Sequence, residues 1–280
     1  MPTTTTLKSN VIVPEVLADM IAAEFAGQLV IAASPMVRVE EALLASGGDT
    51  VKIPRWDAIS AADDLTEDTA LTAEVMGTGS DTAPVVGAGK LVEISDQALM
   101  AAQGDPLAEI ARQYGILIAR KIDQALVTEA ETTTLAKSVA AAIDADAVID
   151  AKTKFGDAQA DIAGIVLHSK QFSDLLKDAD FKSSGVYGDL GGALATGSVG
   201  TILGMPVYVS DRVTKTTGSP DTYTALLVKR GALGLFYQRQ PRVEIQRNIE
   251  KFTTKVSVSA FYAVCLFQST PLGVVKLVTQ

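Results

Sequence analysis

The chain is poor in the residues on which most enzyme sites and metal sites are built. Its 280 residues include one cysteine, Cys265, and one histidine, His168. A single cysteine excludes an intrachain disulfide, and a single histidine excludes most His-centred triads and metal sites built from several imidazoles. Cys265 stands in the apolar run FYAVCLF and His168 follows an apolar strand, so we expect structural roles for both.

Motifs that bind phosphates or metal ions are also missing. The glycine pairs at positions 77 and 79, 87 and 89, and 231 and 234 continue into neither a G-x-G-x-x-G fingerprint nor a P-loop. No G-x-S-x-G elbow is present, and the carboxylates never follow the order of a calcium loop. We therefore predict no catalytic, cofactor-binding or metal-binding residue, and we expect that the protein is not an enzyme.

Long apolar runs and an excess of basic residues are absent too. No stretch of about 18 apolar residues occurs, and residues 1–10 lack the apolar core of a signal peptide, so we expect a soluble protein made in the cytoplasm. Lysine and arginine total 24 against 33 for aspartate and glutamate, a net charge of −9. Such a balance argues against a dedicated nucleic-acid binder.

A long helix is predicted from Asp105 to about Ala130. Asp105 can cap the first turn with its carboxylate, and Pro106 suits a first helical position because its missing N–H has no partner there. Apolar residues then recur at spacings of three and four, at Leu107, Ile110, Ala111, Tyr114, Leu117, Ile118, Ile122, Ala125 and Leu126. At ~1.5 Å per residue the helix spans roughly 37 Å, and we expect one face to lie in the core.

The N-terminal part predicts a further helix and two strands. Residues 11–27 contain an apolar stripe formed by Val16, Leu17, Met20, Ile21 and Phe25, which packs either on its own core or on a neighbour. Residues 50–56 alternate as a half-buried strand, and Pro54 marks this strand as an edge. Residues 90–94 are the expected antiparallel partner of that strand.

The segment between those strands, residues 57–89, contains no lysine or arginine. Its carboxylates are Asp57, Asp63, Asp64, Glu67, Asp68, Glu74 and Asp81. Ordering its 33 residues costs on the order of 1–2 kcal/mol of backbone entropy each, more than its few apolar residues offset within one subunit. We expect that a surface outside the subunit orders this segment, and a flexible surface loop is the alternative.

The second half of the chain predicts a compact α/β unit followed by long strands. Asp144 or Asp146 caps one helix and Ser169 caps another, with a buried strand at 165–167 between them. A glycine-rich loop covers 183–200, and strands are predicted at 201–209, 225–228, 233–237, 243–249, 255–267 and 273–278. Basic residues concentrate between positions 229 and 255.

The order of these segments resembles that of tailed-phage major capsid proteins, which have the Hong Kong 97-like fold also used by encapsulin shells. The N-terminal arm of that fold is matched by VIVPEVLADMIAAEF, the two strands bounding its E-loop by GGDTVKIPRW and KLVEISDQAL, and its spine helix by DPLAEIARQYGILIARKIDQAL. The A-domain is matched by AGIVLHSKQFSDLLK and TILGMPVYVSD, and the return through the P-domain by VKRGALGLFYQRQPRVEIQRN through VSAFYAVCLF.

This resemblance implies an α+β chain in five parts. These are an N-terminal arm and helix (1–47), an E-loop β-ribbon (48–94), a P-domain with the spine helix (95–145), an A-domain (146–238) and a return through P-domain strands (239–280). With about 16 residues per strand at ~3.3 Å each, the ribbon would reach roughly 50 Å. The resemblance also implies a virion protein that self-assembles as hexamers and pentamers into an icosahedral shell around double-stranded DNA, without sequence-specific contacts to that DNA.

Opposite charges on two segments suggest where neighbouring subunits meet. We hypothesise an inter-subunit contact between the acidic segment and the late basic stretch. Its residues are Asp57, Asp63, Asp64, Glu67, Asp68, Glu74 and Asp81 on one subunit and Arg239, Arg242, Arg247, Lys251 and Lys255 on the other. Exposed ion pairs contribute only ~0–1 kcal/mol each, so these charges should set register more than total stability.

Two departures from the family pattern bear on partners. Some members cross-link an E-loop lysine to an asparagine, but residues 57–89 hold no lysine and the asparagines are Asn10 and Asn248, so we expect a non-covalent shell. The N-terminal arm begins almost at once, so we expect a separate scaffolding protein, together with a portal and, as a further candidate, a decoration protein. An encapsulin-like nanocompartment shell is the alternative function, and a soluble α/β enzyme is a third.

Overall fold

The computed structural model describes residues 14–40, 49–57, 59–62, 64, 73–102, 104–157, 159, 161–177, 200–267 and 273–280. Its helices are α1 (Pro14–Gln28), α2 (Asp96–Ala101), α3 (Pro106–Ala130), α4 (Ala145–Thr153) and α5 (Ser169–Lys177). Its strands are β1 (Val37–Glu40), β2 (Thr50–Trp56), β3 (Thr78–Pro84), β4 (Val86–Ser95), β5 (Ala136–Ser138), β6 (Ile162–Leu167), β7 (Thr201–Ile202), β8 (Met205–Val209), β9 (Lys215–Thr216), β10 (Thr222–Lys229), β11 (Leu233–Asn248), β12 (Thr253–Leu266) and β13 (Val274–Thr279). Among these helices, none has the length and apolar character that a membrane crossing requires.

The strands form sheets of four, seven and two strands. The four-stranded sheet has the order β1-β11-β12-β4, in which β1 is parallel to β11 and the other neighbours are antiparallel. The seven-stranded sheet has the order β5-β13-β10-β6-β8-β7, with β9 beside β10. The turn at Arg230 and Gly231 leads from β10 in one sheet to β11 in the other, so it links the two sheets directly.

Helix α3 packs on the four-stranded sheet and forms the centre of the first core. Asp105 Oδ1 accepts hydrogen bonds from the backbone N–H groups of Leu107 and Ala108, so the predicted cap is confirmed. Tyr114 Oη donates to the carbonyl oxygen of Val256 on β12 at 2.7 Å, which fixes the helix to the sheet. The predicted apolar face is buried at Ala111, Tyr114, Ile118, Ile122 and Leu126, whereas Leu117 is exposed and its predicted core position is wrong.

Helix α1 packs against α3 at Gly115. A Cβ atom at Gly115 would lie 2.8 Å from the Cβ of Glu24 and 3.1 Å from the carbonyl oxygen of Ile21, so only glycine allows this close approach. Ile21 is fully buried there, so α1 packs on the core of its own subunit at this residue, whereas Met20 of the predicted stripe is 39% exposed.

Asp123 is a charged residue of α3 whose side chain is fully buried. Its two carboxylate oxygens accept hydrogen bonds from the backbone N–H groups of Val30 and Ala32, each at 3.1 Å. Arg212 Nη1 lies 3.8 Å from Asp123 Oδ2. The carboxylate therefore joins the connection between α1 and β1 to the spine helix and to the loop after β8.

The second core lies between the seven-stranded sheet and helices α4 and α5. Asp144 Oδ1 accepts a hydrogen bond from the Ala147 N–H at 2.7 Å, so Asp144 is the cap of α4 rather than Asp146. Val148 and Phe155 pack there with aliphatic residues of β6, β8, β10 and β13. The predicted strands at 165–167, 201–209 and 225–228 all belong to this sheet.

Strand pairing departs from the prediction in the N-terminal part. Strand β2 pairs with β3, from Thr50 opposite Pro84 to Trp56 opposite Thr78, and not with residues 90–94. Residues 90–94 belong to β4, which pairs with β12 because alternate residues such as Val92 pack against the first core. The predicted strands 233–237 and 243–249 are one strand, β11, with irregular register after Tyr237 and Arg239. The predicted glycine-rich loop lies outside the described residues up to position 199.

Candidate assembly site

The acidic segment forms an arm whose root packs on its own subunit. Strands β2 and β3 pair over seven residues each, which corresponds to about 23 Å, so the predicted reach of roughly 50 Å is too long for the regular ribbon. Ala83 is buried against Phe236, Ala263 and Cys265, with Val51 and Ile53 of β2 beside them. The expectation that this segment lacks any core within its subunit is therefore wrong for the root.

Arg55 holds the two strands of the arm together. Its Nη1 atom donates to Asp81 Oδ1 at 3.2 Å across the ribbon, and its Nε atom lies 3.6 Å from Asp57 Oδ1. A Cβ atom at Gly79 would lie 3.2 Å from the Arg55 guanidinium, so glycine leaves room for this side chain. Two of the predicted contact carboxylates, Asp57 and Asp81, thus have a cationic partner within their own subunit.

We define the arm tip as the described residues from 56 to 77, both included. It presents large apolar side chains to solvent. Trp56 is 66% exposed and Val75 is 90% exposed, and Ile59 and Met76 are exposed as well. Glu74 accepts hydrogen bonds from the Ser60 N–H at 3.1 and 3.2 Å and from the Ser60 hydroxyl at 2.5 Å, which holds the two limbs of the tip together. None of the described residues of the tip is buried, so the tip has no core within the part of the chain that the structure describes.

Three of the predicted acidic contact residues, Asp63, Glu67 and Asp68, lie outside the described residues. Asp64, Glu74, Asp57 and Asp81 are described, and they belong to the arm. No positive charge occurs between positions 57 and 89, so the arm carries an uncompensated negative charge beyond Arg55.

The predicted basic residues divide between two faces of the four-stranded sheet. Residues that pair across β11 and β12 share a face, and successive residues alternate. Val243 and Val258 pair on the core side, so Arg242, opposite Ser259, points to the other side, which we call the outer face. Arg239, Arg242 and Lys255 share this outer face with the arm root, whereas Arg247 points to the opposite side and Lys251 lies in the turn after β11.

Beyond the arm root, large side chains of the outer face are exposed in the part of the chain that the structure describes. Arg239 lies over the Phe261 ring at 4.7 Å and donates to Ser259 Oγ at 2.6 Å. Phe261 and Leu91 are exposed on this face, and Gly87 and Gly89 of β4 leave it flat between them. The outer face thus presents two arginines and two apolar side chains beside a stretch of β4 that has no side chains at its glycines.

The remaining basic residues have acidic partners near α2. Arg247 donates to both carboxylate oxygens of Asp96, at 3.0 and 2.6 Å, and these bonds lower the pKa of Asp96. A hydrogen bond from Thr253 lowers the pKa of Glu93, assisted by the charges of Lys255 and Lys251. The structure therefore does not bring Arg247 together with Arg239 and Arg242.

A second apolar surface was not found by sequence reasoning. Phe252, in the turn between β11 and β12, is 64% exposed, and Met100 of α2 is 86% exposed. Both side chains line one groove with Lys251. Ile249 is exposed in the same turn. A signal was available, because an isoleucine and a phenylalanine in a turn with the sequence NIEKF are unusual for a solvated loop.

The surroundings of Cys265 and of the described carboxylates bear on two kinds of site, a nucleophilic thiol and a metal site. The thiol is buried between the arm root and the sheet, and burial raises its pKa to about 12, so it is not an accessible nucleophile. Within the described ranges, no three side chains of the metal-ligating types come together.

Comparison with known proteins gives consistent matches. A family profile described as phage capsid protein matches residues 79–277, more than two thirds of the chain. The major capsid protein of Staphylococcus phage phiMR11 is 26% identical in an alignment 281 residues long. That alignment covers 96% of this chain and 95% of that relative.

Solved structures with little sequence identity share the fold. The capsid of Ralstonia phage GP4 has a TM-score of 0.71 at 13% identity, covering 91% of this chain and 90% of that one. A virus-like particle from Pyrococcus furiosus has a TM-score of 0.62 at 12% identity, covering 94% of this chain and 98% of that one.

Proposed function

Because this chain belongs to the phage capsid protein family, we propose that it builds its shell by exchanging arm contacts between neighbouring copies. The predicted Hong Kong 97-like fold is confirmed, and the chain is a structural protein of the virion rather than an enzyme. We assign it the role of the major capsid protein of a tailed phage, which assembles as hexamers and pentamers into an icosahedral shell around double-stranded DNA.

The exposed arm tip carries this proposal. Four large apolar side chains project from it, and one of them is the only tryptophan of the chain. Leaving such a cluster in water is unfavourable, since covering apolar surface yields roughly 25 cal/mol per Å². A second copy of the chain is the partner that is always present at high concentration, so the tip is covered on assembly.

The outer face of the four-stranded sheet is the surface that we assign to the neighbour's arm tip. Phe261 and Leu91 offer apolar contact, while Arg239 and Arg242 offer positive charge to an arm that has none beyond Arg55. Of the hypothesised contact set, Arg239 and Arg242 therefore fit best, because Arg247 is already bonded to Asp96 and Lys255 Nζ lies 3.9 Å from Glu93 Oε2. Arg242 Nε lies 3.7 Å from Glu244 Oε1 in an exposed pair. Exposed ion pairs contribute ~0–1 kcal/mol each, so the apolar tip supplies most of the stability and the charges set the register.

Other partners follow from the assigned role. We propose that a separate scaffolding protein guides closure, that a portal occupies one vertex and that a decoration protein is a further candidate partner. The lack of a lysine between residues 57 and 89 supports a non-covalent shell. The packaged DNA makes no sequence-specific contact with an acidic protein of net charge −9.

Negative-stain electron microscopy of the expressed full chain, alone and with its scaffolding protein, tests this function. We expect closed shells that depend on the scaffold. Shells that form alone around a cargo enzyme would instead support the nanocompartment alternative, and a small oligomer under every condition would contradict both.

A pair of variants tests the role of the arm tip in the same assay. Val75→Asp places a charge on a side chain that is solvated in the free subunit, so we expect folded subunits that fail to assemble. Ile149→Asp, on an exposed position of α4, is the matched control and should assemble normally. Normal shells from Val75→Asp would refute the arm contact without refuting the capsid role.

A further inference from the structure

The single histidine occupies the N-terminal cap of helix α5, where a serine was predicted. The Phe172 N–H donates to the His168 carbonyl oxygen at 3.0 Å, so His168 is the residue at which the helix begins, and Ser169 already lies within it. His168 Nδ1 accepts a hydrogen bond from the Lys170 N–H at 3.1 Å. The imidazole thus accepts the backbone hydrogen bond that a serine or aspartate side chain commonly accepts at the start of a helix.

A reciprocal bond completes the cap and ties it to the second core. Gln171 Oε1 accepts from the His168 N–H at 3.1 Å, in the manner of a capping box. The Gln171 amide group also donates to Thr279 Oγ1 at 2.8 Å and to the Tyr223 carbonyl oxygen at 3.2 Å. The first turn of α5 is therefore anchored to β10 and β13 through this cap.

The cap requires a neutral imidazole. Nδ1 can accept the Lys170 N–H only when it carries no proton, so the neutral ring must hold its proton on Nε2. Protonation converts Nδ1 into a donor, which removes the acceptor and also sets a positive charge against the positive end of the helix dipole.

An alternative partner for the protonated ring is close by. Asp211, in the loop after β8, has its Oδ1 atom 3.7 Å from His168 Nδ1 and at present accepts from the Ser169 N–H at 3.1 Å. Hydrogen bonds from Ser169 lower the pKa of Asp211, so this carboxylate stays ionised in mild acid. A protonated ring can therefore exchange the helix N–H for the carboxylate and compete with Ser169 for it.

Other charged groups around the ring leave this exchange possible. The Tyr223 ring packs on the imidazole at 4.8 Å between centroids. Lys215 Nζ lies 5.4 Å from the centroid of the Tyr223 ring and is paired with Asp221. On the helix itself, the Lys170 ammonium is paired with Asp174 at 2.5 Å. Arg212 adjoins Asp211 in the loop and faces Asp123.

From this geometry we propose that His168 is a pH-sensitive cap, which fixes the first turn of α5 to the seven-stranded sheet when neutral and releases it when protonated. The sign follows from the acceptor role of Nδ1. The stabilisation is present while the ring is neutral and is lost when the ring is protonated. The consequence is a second core that loosens at α5 in mild acid while the first core is unaffected.

Hydrogen exchange of the full chain in one assembly state, read as protection factors at pH 7.5 and 5.5, tests the proposal. We expect the amides of the first turn of α5 to lose protection about five-fold at the lower pH, the loss that removal of a helix cap produces. His168→Asn supplies a cap that does not titrate, so its α5 protection should be equal at both pH values. Equal protection in the unmodified chain, or the same loss in His168→Asn, would overturn the proposal.

Nitrogen NMR of the histidine ring provides a second test that needs no variant. With one histidine in the chain, the labelled ring gives a single set of signals. We expect an Nε2–H tautomer at pH 7.5 and a protonation midpoint that coincides with the loss of α5 protection. An Nδ1–H tautomer at pH 7.5 would contradict the cap directly.

Discussion

At the scale of single residues, two buried tyrosines of the first core, one on α3 and one on β12, differ in one hydrogen bond. Tyr114 Oη donates to Val256 O, whereas Tyr262 Oη is buried and has no hydrogen-bond partner among the described residues. Burial raises the pKa of both phenols. A buried hydroxyl without a partner loses its hydrogen bonds to water, and no hydrogen bond within the protein compensates for that desolvation.

These two tyrosines should respond oppositely to the same change. Tyr262→Phe removes the unpaired hydroxyl, so we expect the free energy of unfolding to stay equal or to rise by about 1 kcal/mol. Tyr114→Phe leaves the Val256 carbonyl without its donor and should lower that free energy by about 1–2 kcal/mol. Denaturant unfolding of unassembled subunits measures both, and a larger loss for Tyr262→Phe than for Tyr114→Phe would show that the Tyr262 hydroxyl is bonded.

At the scale of elements, two helical glycines distinguish a packing requirement from a helix preference. Gly115→Ala places a Cβ atom against the backbone of α1, so we expect it to destabilise the subunit by about 1–3 kcal/mol despite the better helix propensity of alanine. Gly27→Ala meets nothing within 4 Å in α1 and should stabilise by up to about 1 kcal/mol. Thermal unfolding distinguishes these signs, and stabilisation by Gly115→Ala would mean that the helices do not meet there.

Elements with a strong local signal could be predicted, and the pairing of weak ones could not. Periodicity and the Asp105 cap predicted α3 to within a residue, and alternation predicted β2. Strand-like composition predicted half of β10 and most of β12. The partner of β2 was missed because β3 has the sequence TGSDTAP, which no strand propensity favours. Its place comes from a tertiary contact, the burial of Ala83 against Phe236, and such contacts are invisible to local patterns.

At the scale of the whole molecule, the order of segments predicted the fold and the family, while the basic residues that charge alone selected do not share one face of the sheet. Arg239 and Arg242 lie together on the outer face, but Arg247 is committed to Asp96, since register and not proximity in sequence decides which face a residue shares. The apolar tip was also missed, because Trp56 was assigned to a strand rather than to a surface. The five domain bounds and the inter-subunit contact set, both its acidic and its basic residues, remain predictions.

Trp56 provides the most direct measurement of the central claim, that one subunit's arm tip is covered by another subunit. It is the sole tryptophan and is 66% exposed in the free subunit, so tryptophan fluorescence of the unmodified chain, excited selectively over its tyrosines, reports on the tip alone. We predict that on assembly its emission shifts to shorter wavelength and that quenching by acrylamide falls several-fold. Emission and quenching that are the same in subunits and in closed shells would contradict the account.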